Sequence, residues 1–82
     1  MTYQTLIQSM TDAADGFEAF EILSFLKTQV DFVAGRVLPP SSSRAGWRVQ
    51  VFFENAECDS KWLPDGMRRV MVPDSLLRAC VQ

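Results

Sequence analysis

Residues 47–54, Trp47-Arg48-Val49-Gln50-Val51-Phe52-Phe53-Glu54, alternate between two faces with a period of two. That period suits a half-buried strand. Trp47, Val49, Val51 and Phe53 form the inner face. Arg48, Gln50, Phe52 and Glu54 form the outer one, with Phe52 as an exposed aromatic. A strand needs partners, so part of this chain is a sheet.

Upstream the spacing turns helical. Tyr3, Leu6/Ile7, Met10 and Ala13/Ala14 recur every three to four residues, which predicts an amphipathic helix ending near Gly16. Asp15 followed three residues later by Glu18 has the form of a capping box and predicts a second helix over about 16–34. Its seam is Ala19, Leu23, Leu26, Val30, Val33 and Val37, with Ile22 beside it. At 100° per residue, Phe25 and Phe32 fall together at the seam's edge and widen the apolar arc to roughly 200°. A single covering layer hides less than that. The Phe25/Phe32 flank therefore needs a second surface, either the chain's own sheet or a second copy.

Pro39-Pro40 closes the helical region, and Ser41 to Gly46 reads as a connection. A second strand is predicted near 58–63. Leu63-Pro64-Asp65-Gly66-Met67 is a turn signal that joins it to a third strand over 68–72. Pro73 ends that strand, Asp74 caps, and Ser75–Val81 predicts a short helix with Leu76, Leu77, Cys80 and Val81 inward. The expected fold is α+β: two N-terminal helices packed on a small three-stranded antiparallel meander, with a short C-terminal helix.

Eighty-two residues make one domain, 1–82. A chain this small buries only about 63% of the surface its unfolded form exposes. With 48% hydrophobic residues, some large apolar side chains are left for a partner or a dimer contact. No apolar run reaches the length of a membrane-spanning helix, and the first residues lack the basic and apolar regions of a signal peptide. Cys58 and Cys80 form no CxxC pair, so the expectation is two reduced thiols in a cytoplasmic protein.

The absence of histidine removes His-based acid–base catalysis, the Ser-His-Asp and Cys-His nucleophiles, and nearly all zinc patterns. Glu54, Glu57 and Asp59 are the densest loop carboxylates, but they flank a predicted turn where charges are ordinarily solvated. Cys58 lies between two of them, which blunts its nucleophilicity. The reading is non-catalytic, with no cofactor and no metal site.

Net charge is −2, unevenly spread. Residues 1–35 carry one cation against five carboxylates, −4, and residues 36–82 carry seven against five, +2. Two partner-binding patches follow. One is acidic: Asp12, Asp15, Glu18 and Glu21. The other is an aromatic ringed by arginines on the sheet, Phe52 with Arg48, Arg68 and Arg69, a composition found at binding hot spots. Phe25 and Phe32 are the candidates for self-association into a homodimer. The sheet patch, extended by Arg44, also suits single-stranded nucleic acid, with Phe52 as the stacking ring. The acidic balance argues against direct nucleic-acid binding.

The favoured expectation is a protein–protein interaction module that occupies a surface of a larger nucleic-acid-handling complex. A short chain without targeting or linker sequence reads as a stand-alone product. Such products are common in phages and mobile elements, where they inhibit host machinery; anti-CRISPR proteins are one such class. No specific family resemblance is visible in these residues.

Overall fold

The computed structural model describes residues 2–54, 63 and 65–80. In chain order the elements are β1 (Tyr3–Ala13), α1 (Gly16–Leu26), β2 (Phe32–Leu38), β3 (Trp47–Phe53), β4 (Met67–Pro73) and α2 (Asp74–Ala79). The four strands form one sheet in the order β2-β3-β1-β4, and every neighbouring pair is antiparallel. β1 and β2 therefore run parallel with β3 between them, joined through α1 as a split βαβ unit.

This corrects the expected architecture. There is one N-terminal helix, not two, and the sheet has four strands, not three in a meander. Residues 3–13 are the central strand β1, hydrogen-bonded to β3 on one edge and β4 on the other. The helical spacing misleads because both faces of β1 are covered. Leu6 is buried toward one side of the sheet and Ile7 toward the other, and an adjacent apolar doublet fits a two-faced strand as well as a helix. The Tyr3, Thr5 and Thr11 side chains favour the strand.

The second helix also stops short of its expected end. It begins at the expected place: the Asp15 side chain accepts from the Glu18 N–H at 2.8 Å, and the Glu18 carboxylate accepts from the Ala14 N–H at 2.7 Å. It ends at Leu26. Val33 and Val37, placed on the helical seam by spacing, lie in β2. Gly35 would have weakened a helix here by about 1 kcal/mol; in β2 it serves packing. A Cβ on Gly35 would lie 2.8 Å from a Leu23 methyl carbon and 3.2 Å from the Phe32 ring, so the bare backbone lets α1 settle onto the sheet.

β3 spans Trp47–Phe53 where the alternation places a strand. The expected strand over 58–63 falls outside the described residues except for Leu63. β4 finds its partner in β1. The Asp65-Gly66 turn precedes it, with Gly66 at φ +85° and its carbonyl accepting from the Met10 N–H at 3.2 Å. Positive φ is the conformation glycine tolerates. At the C-terminus, Pro73 is the α2 N-cap and makes no side-chain bond; Asp74 is already helical, and its N–H donates to the Thr2 carbonyl at 3.0 Å.

Two apolar cores lie on opposite faces of the sheet. Under α1 are Ile7, Ala19, Leu23, Val49, Val51 and Phe53, joined by Trp47 and Phe32. Under α2 are Leu6, Ala34, Phe52, Val72, Leu77 and Cys80. A bulge between Phe32 and Ala34 shifts the β2 register, so Phe32 meets the α1 core while Val33 and Ala34 both join the α2 core.

Candidate functional site

The helices differ in how much sheet they cover. Eleven residues make α1 about 16 Å long, and six make α2 about 9 Å. A seven-residue strand spans about 23 Å. α2 therefore closes less than half of its face, and the strands change chemistry where its cover ends. Along β3 the residues toward this face run Phe52, Gln50, Arg48, and along β1 they run Leu6, Gln8, Met10, Asp12. β4 runs Val72, Val70, Arg68, and β2 runs Ala34, Arg36. Each goes from apolar to polar.

At the boundary stands a polar ladder. Gln50 is buried, accepts from the Arg36 Nε–H at 2.9 Å and donates through Nε2 to the Gln8 Oε1 at 3.2 Å. Both its amide oxygen and its amide nitrogen have a partner, as a buried amide requires. Beyond the ladder the sheet, the Arg44 loop and the Gly66 turn enclose a concavity of about 380 Å³ into which Arg44, Arg48 and Arg68 converge. On the other side of the ladder, Cys80 is a buried free thiol. Burial pushes its pKa up, and the nearby Arg36 charge partly offsets this.

The opposite face presents a different surface. Ala19, Leu23, Leu26 and Ile22 turn inward from α1. Phe17, Phe20 and Phe25 turn outward and are 75%, 60% and 66% exposed. At 100° per residue these three rings span about 140° of the solvent side, with Glu21 and Ser24 between them. Beside Phe25, between the end of α1 and the sheet, lies a groove of about 290 Å³ lined by Ser9, Leu26, Gln29, Asp31, Phe53 and Met67.

The acidic set does not share one helix. Asp12 lies in β1 opposite Arg48, and Asp15 caps α1. Glu18 and Glu21 stand on α1 itself, and all four residues are exposed. Two of the carboxylates, Asp15 and Glu18, are engaged in starting the helix at the edge of the phenylalanine face.

The arginine-ringed aromatic is not assembled as expected. Phe52 is 0% exposed, sealed beneath α2. It can neither stack on a base nor reach a partner. Arg48 and Arg68 share the concavity, whereas Arg69 stands opposite Ile7 on the α1 side of β4. Phe25 and Phe32 do not share a helix face either: Phe25 is exposed on α1, and Phe32 is half-buried at the start of β2 opposite Phe53.

Phe17 and Phe20 are the surface residues that the seam analysis passes over. They lie outside the seam, and their signal was plain: two aromatics in the first turn and a half of a helix whose opposite face already supplies the core. Glu57, Cys58 and Asp59 lie outside the described residues. Among the described residues no three His, Cys, Asp or Glu side chains gather as metal ligands, and no helix is long and apolar enough to cross a membrane.

Comparison with protein-family profiles, with curated proteins and with solved structures finds no match for this chain.

Proposed function

We propose that this protein is a non-catalytic interaction module whose recognition surface is the outward face of α1. It docks on a larger, nucleic-acid-handling complex and blocks the surface it occupies. The observation that carries the reading is the exposure of Phe17, Phe20 and Phe25 on one helix. Each ring leaves apolar area in water at a cost of about 25 cal/mol per Å², and contiguous exposed apolar patches mark interaction sites.

Charge selects the kind of occupant. Glu21 sits among the rings, and Glu18 and Asp15 lie toward the N-terminal end of the same helix. A second copy would bring Glu21 against like charges across a two-fold axis, where the same patch meets itself. A partner offering an apolar groove rimmed by Lys and Arg meets both the rings and the carboxylates. A groove rimmed in that way is also what takes the nucleic-acid backbone, and occupying it would exclude that polymer.

A photo-reactive phenylalanine analogue at position 20, with a control at Ser42, tests this in a lysate of the source organism. The expected result is one adduct at position 20, absent at 42 and lost when Phe17→Ser and Phe25→Ser are added. The captured protein should carry a basic rim at the cross-linked site. An adduct that persists in the double variant overturns the proposal. So does a concentration-dependent dimer in light scattering that Phe17→Ser and Phe25→Ser abolish, because the occupant is then a second copy.

A further inference from the structure

On the other side of the sheet, we infer that the concavity formed by Arg44, Arg48 and Arg68 binds a compact phosphorylated small molecule, of the size of a nucleoside diphosphate. Three arginines and no carboxylate line it. Among the described residues none of the three guanidiniums takes part in a hydrogen bond or an ion pair. Arg48 is the most telling. Its Nε is buried with no acceptor from the protein, a donor that an oxygen entering the concavity can satisfy. Asp12 stands directly across the β1–β3 pair from Arg48, yet the two form no ion pair. Asp65 sits exposed beside the Gly66 turn and is not part of the lining.

Guanidinium forks match phosphate oxygens in charge and in geometry. Three of them converging from a loop, from β3 and from β4 can hold two phosphoryl groups at once. The Gln8 amide and the Met10 side chain complete the wall and give the organic body of the ligand polar and apolar contacts. A volume of about 380 Å³ falls within the range of small-molecule sites.

Size and charge separate this ligand from a nucleic-acid strand. A strand extends past the concavity over a protein of net charge −2, and binding of such a polyanion draws on a broad basic surface. It also gains much of its affinity from stacking on aromatic rings. The aromatic of this face, Phe52, is sealed under α2.

The test is calorimetric titration of the full chain at about 50 mM salt with adenosine diphosphate, pyrophosphate and a twelve-residue oligothymidylate. The expected result is saturable binding of the diphosphate, weakened about tenfold by Arg44→Ala with Arg68→Ala, two exposed positions whose loss leaves the melting temperature unchanged. Arg48→Gln should weaken binding in the same direction. If that half-buried variant does not fold, the exposed pair still decides. No binding of either diphosphate at millimolar concentration overturns the inference, and so does unaltered affinity in the exposed pair. Tighter binding of the oligothymidylate, with a steep salt dependence, overturns it in favour of a nucleic-acid strand.

Discussion

The two faces of this sheet are built from the same four strands and end up unlike each other because their helices differ in length. α1 packs over β3, β2 and β1, so the main surface there is the helix's own outward face, with three exposed phenylalanines and flanking carboxylates. α2 is a turn and a half. It closes one end of its side and leaves the other to glutamines and arginines. Where a helix lies over the sheet the surface displays what the helix carries, and beyond its cover it displays what the strands carry. The exposed phenylalanines and the converging arginines thereby fall on opposite sides of a body of 82 residues.

The largest expected effect separates a phenylalanine inside this body from one outside it. Phe52→Ala empties a fully buried site under α2 and should cost about 3–5 kcal/mol, enough to leave so small a domain largely unfolded. Phe20→Ala on the outer face of α1 should stay within about 0.5 kcal/mol of the parent. Urea unfolding of the two variants reads the contrast. Equal losses would mean that the faces are not divided in this way.

A smaller effect distinguishes the helix starts. Asp15→Ala removes a side-chain cap that α1 possesses and should cost about 1 kcal/mol. α2 has no such cap, so Asp74→Ala should cost less, limited to the helix-dipole contribution of about 0.3–1 kcal/mol. Thermal unfolding of the pair checks the order, and a reversed order would place the critical cap on the wrong helix.

The smallest effect is a pH dependence confined to the α2 side. Burial raises the Cys80 pKa in the folded state, so the fold prefers the neutral thiol. The corresponding stability is fully present below the unfolded thiol's value of about 8.5. It is lost as pH rises from there through the higher folded value. Cys80→Ala should flatten the decline in stability above about pH 8.5, measured by urea unfolding from pH 7 to 10. An unchanged slope would remove Cys80 as its source.

What was legible in the sequence follows from how many faces each element buries. β3 shows on one face an apolar set that α1 covers, and its alternation marks the strand at the right residues. The same alternation misplaces Phe52, because a short helix from the far end of the chain covers it, and nothing within 47–54 encodes that cover. β1 is covered on both faces at Leu6 and Ile7, so its period-two signal is lost and a helical one takes its place. Gly35 within the supposed seam and the β-branched Val33 and Val37 were the local signs of β2, outweighed by a seam that continued by coincidence. The capping box at Asp15 and Glu18 was readable because capping is settled within four residues. The basic concavity was half visible: Arg44, Arg48 and Arg68 stood out as cations, but only the strand order brings β4 beside β1 and carries Arg68 toward Arg48.

Hydroxyl-radical footprinting of the protein, alone and bound to the partner captured through position 20, tests the division of labour most directly. The account predicts that oxidation of Phe17, Phe20 and Phe25 falls sharply in the complex while that of half-buried Met10, in the concavity on the opposite face of the sheet, is unchanged. Undiminished oxidation of the three phenylalanines, with protection appearing at Met10 in the arginine concavity, would contradict it.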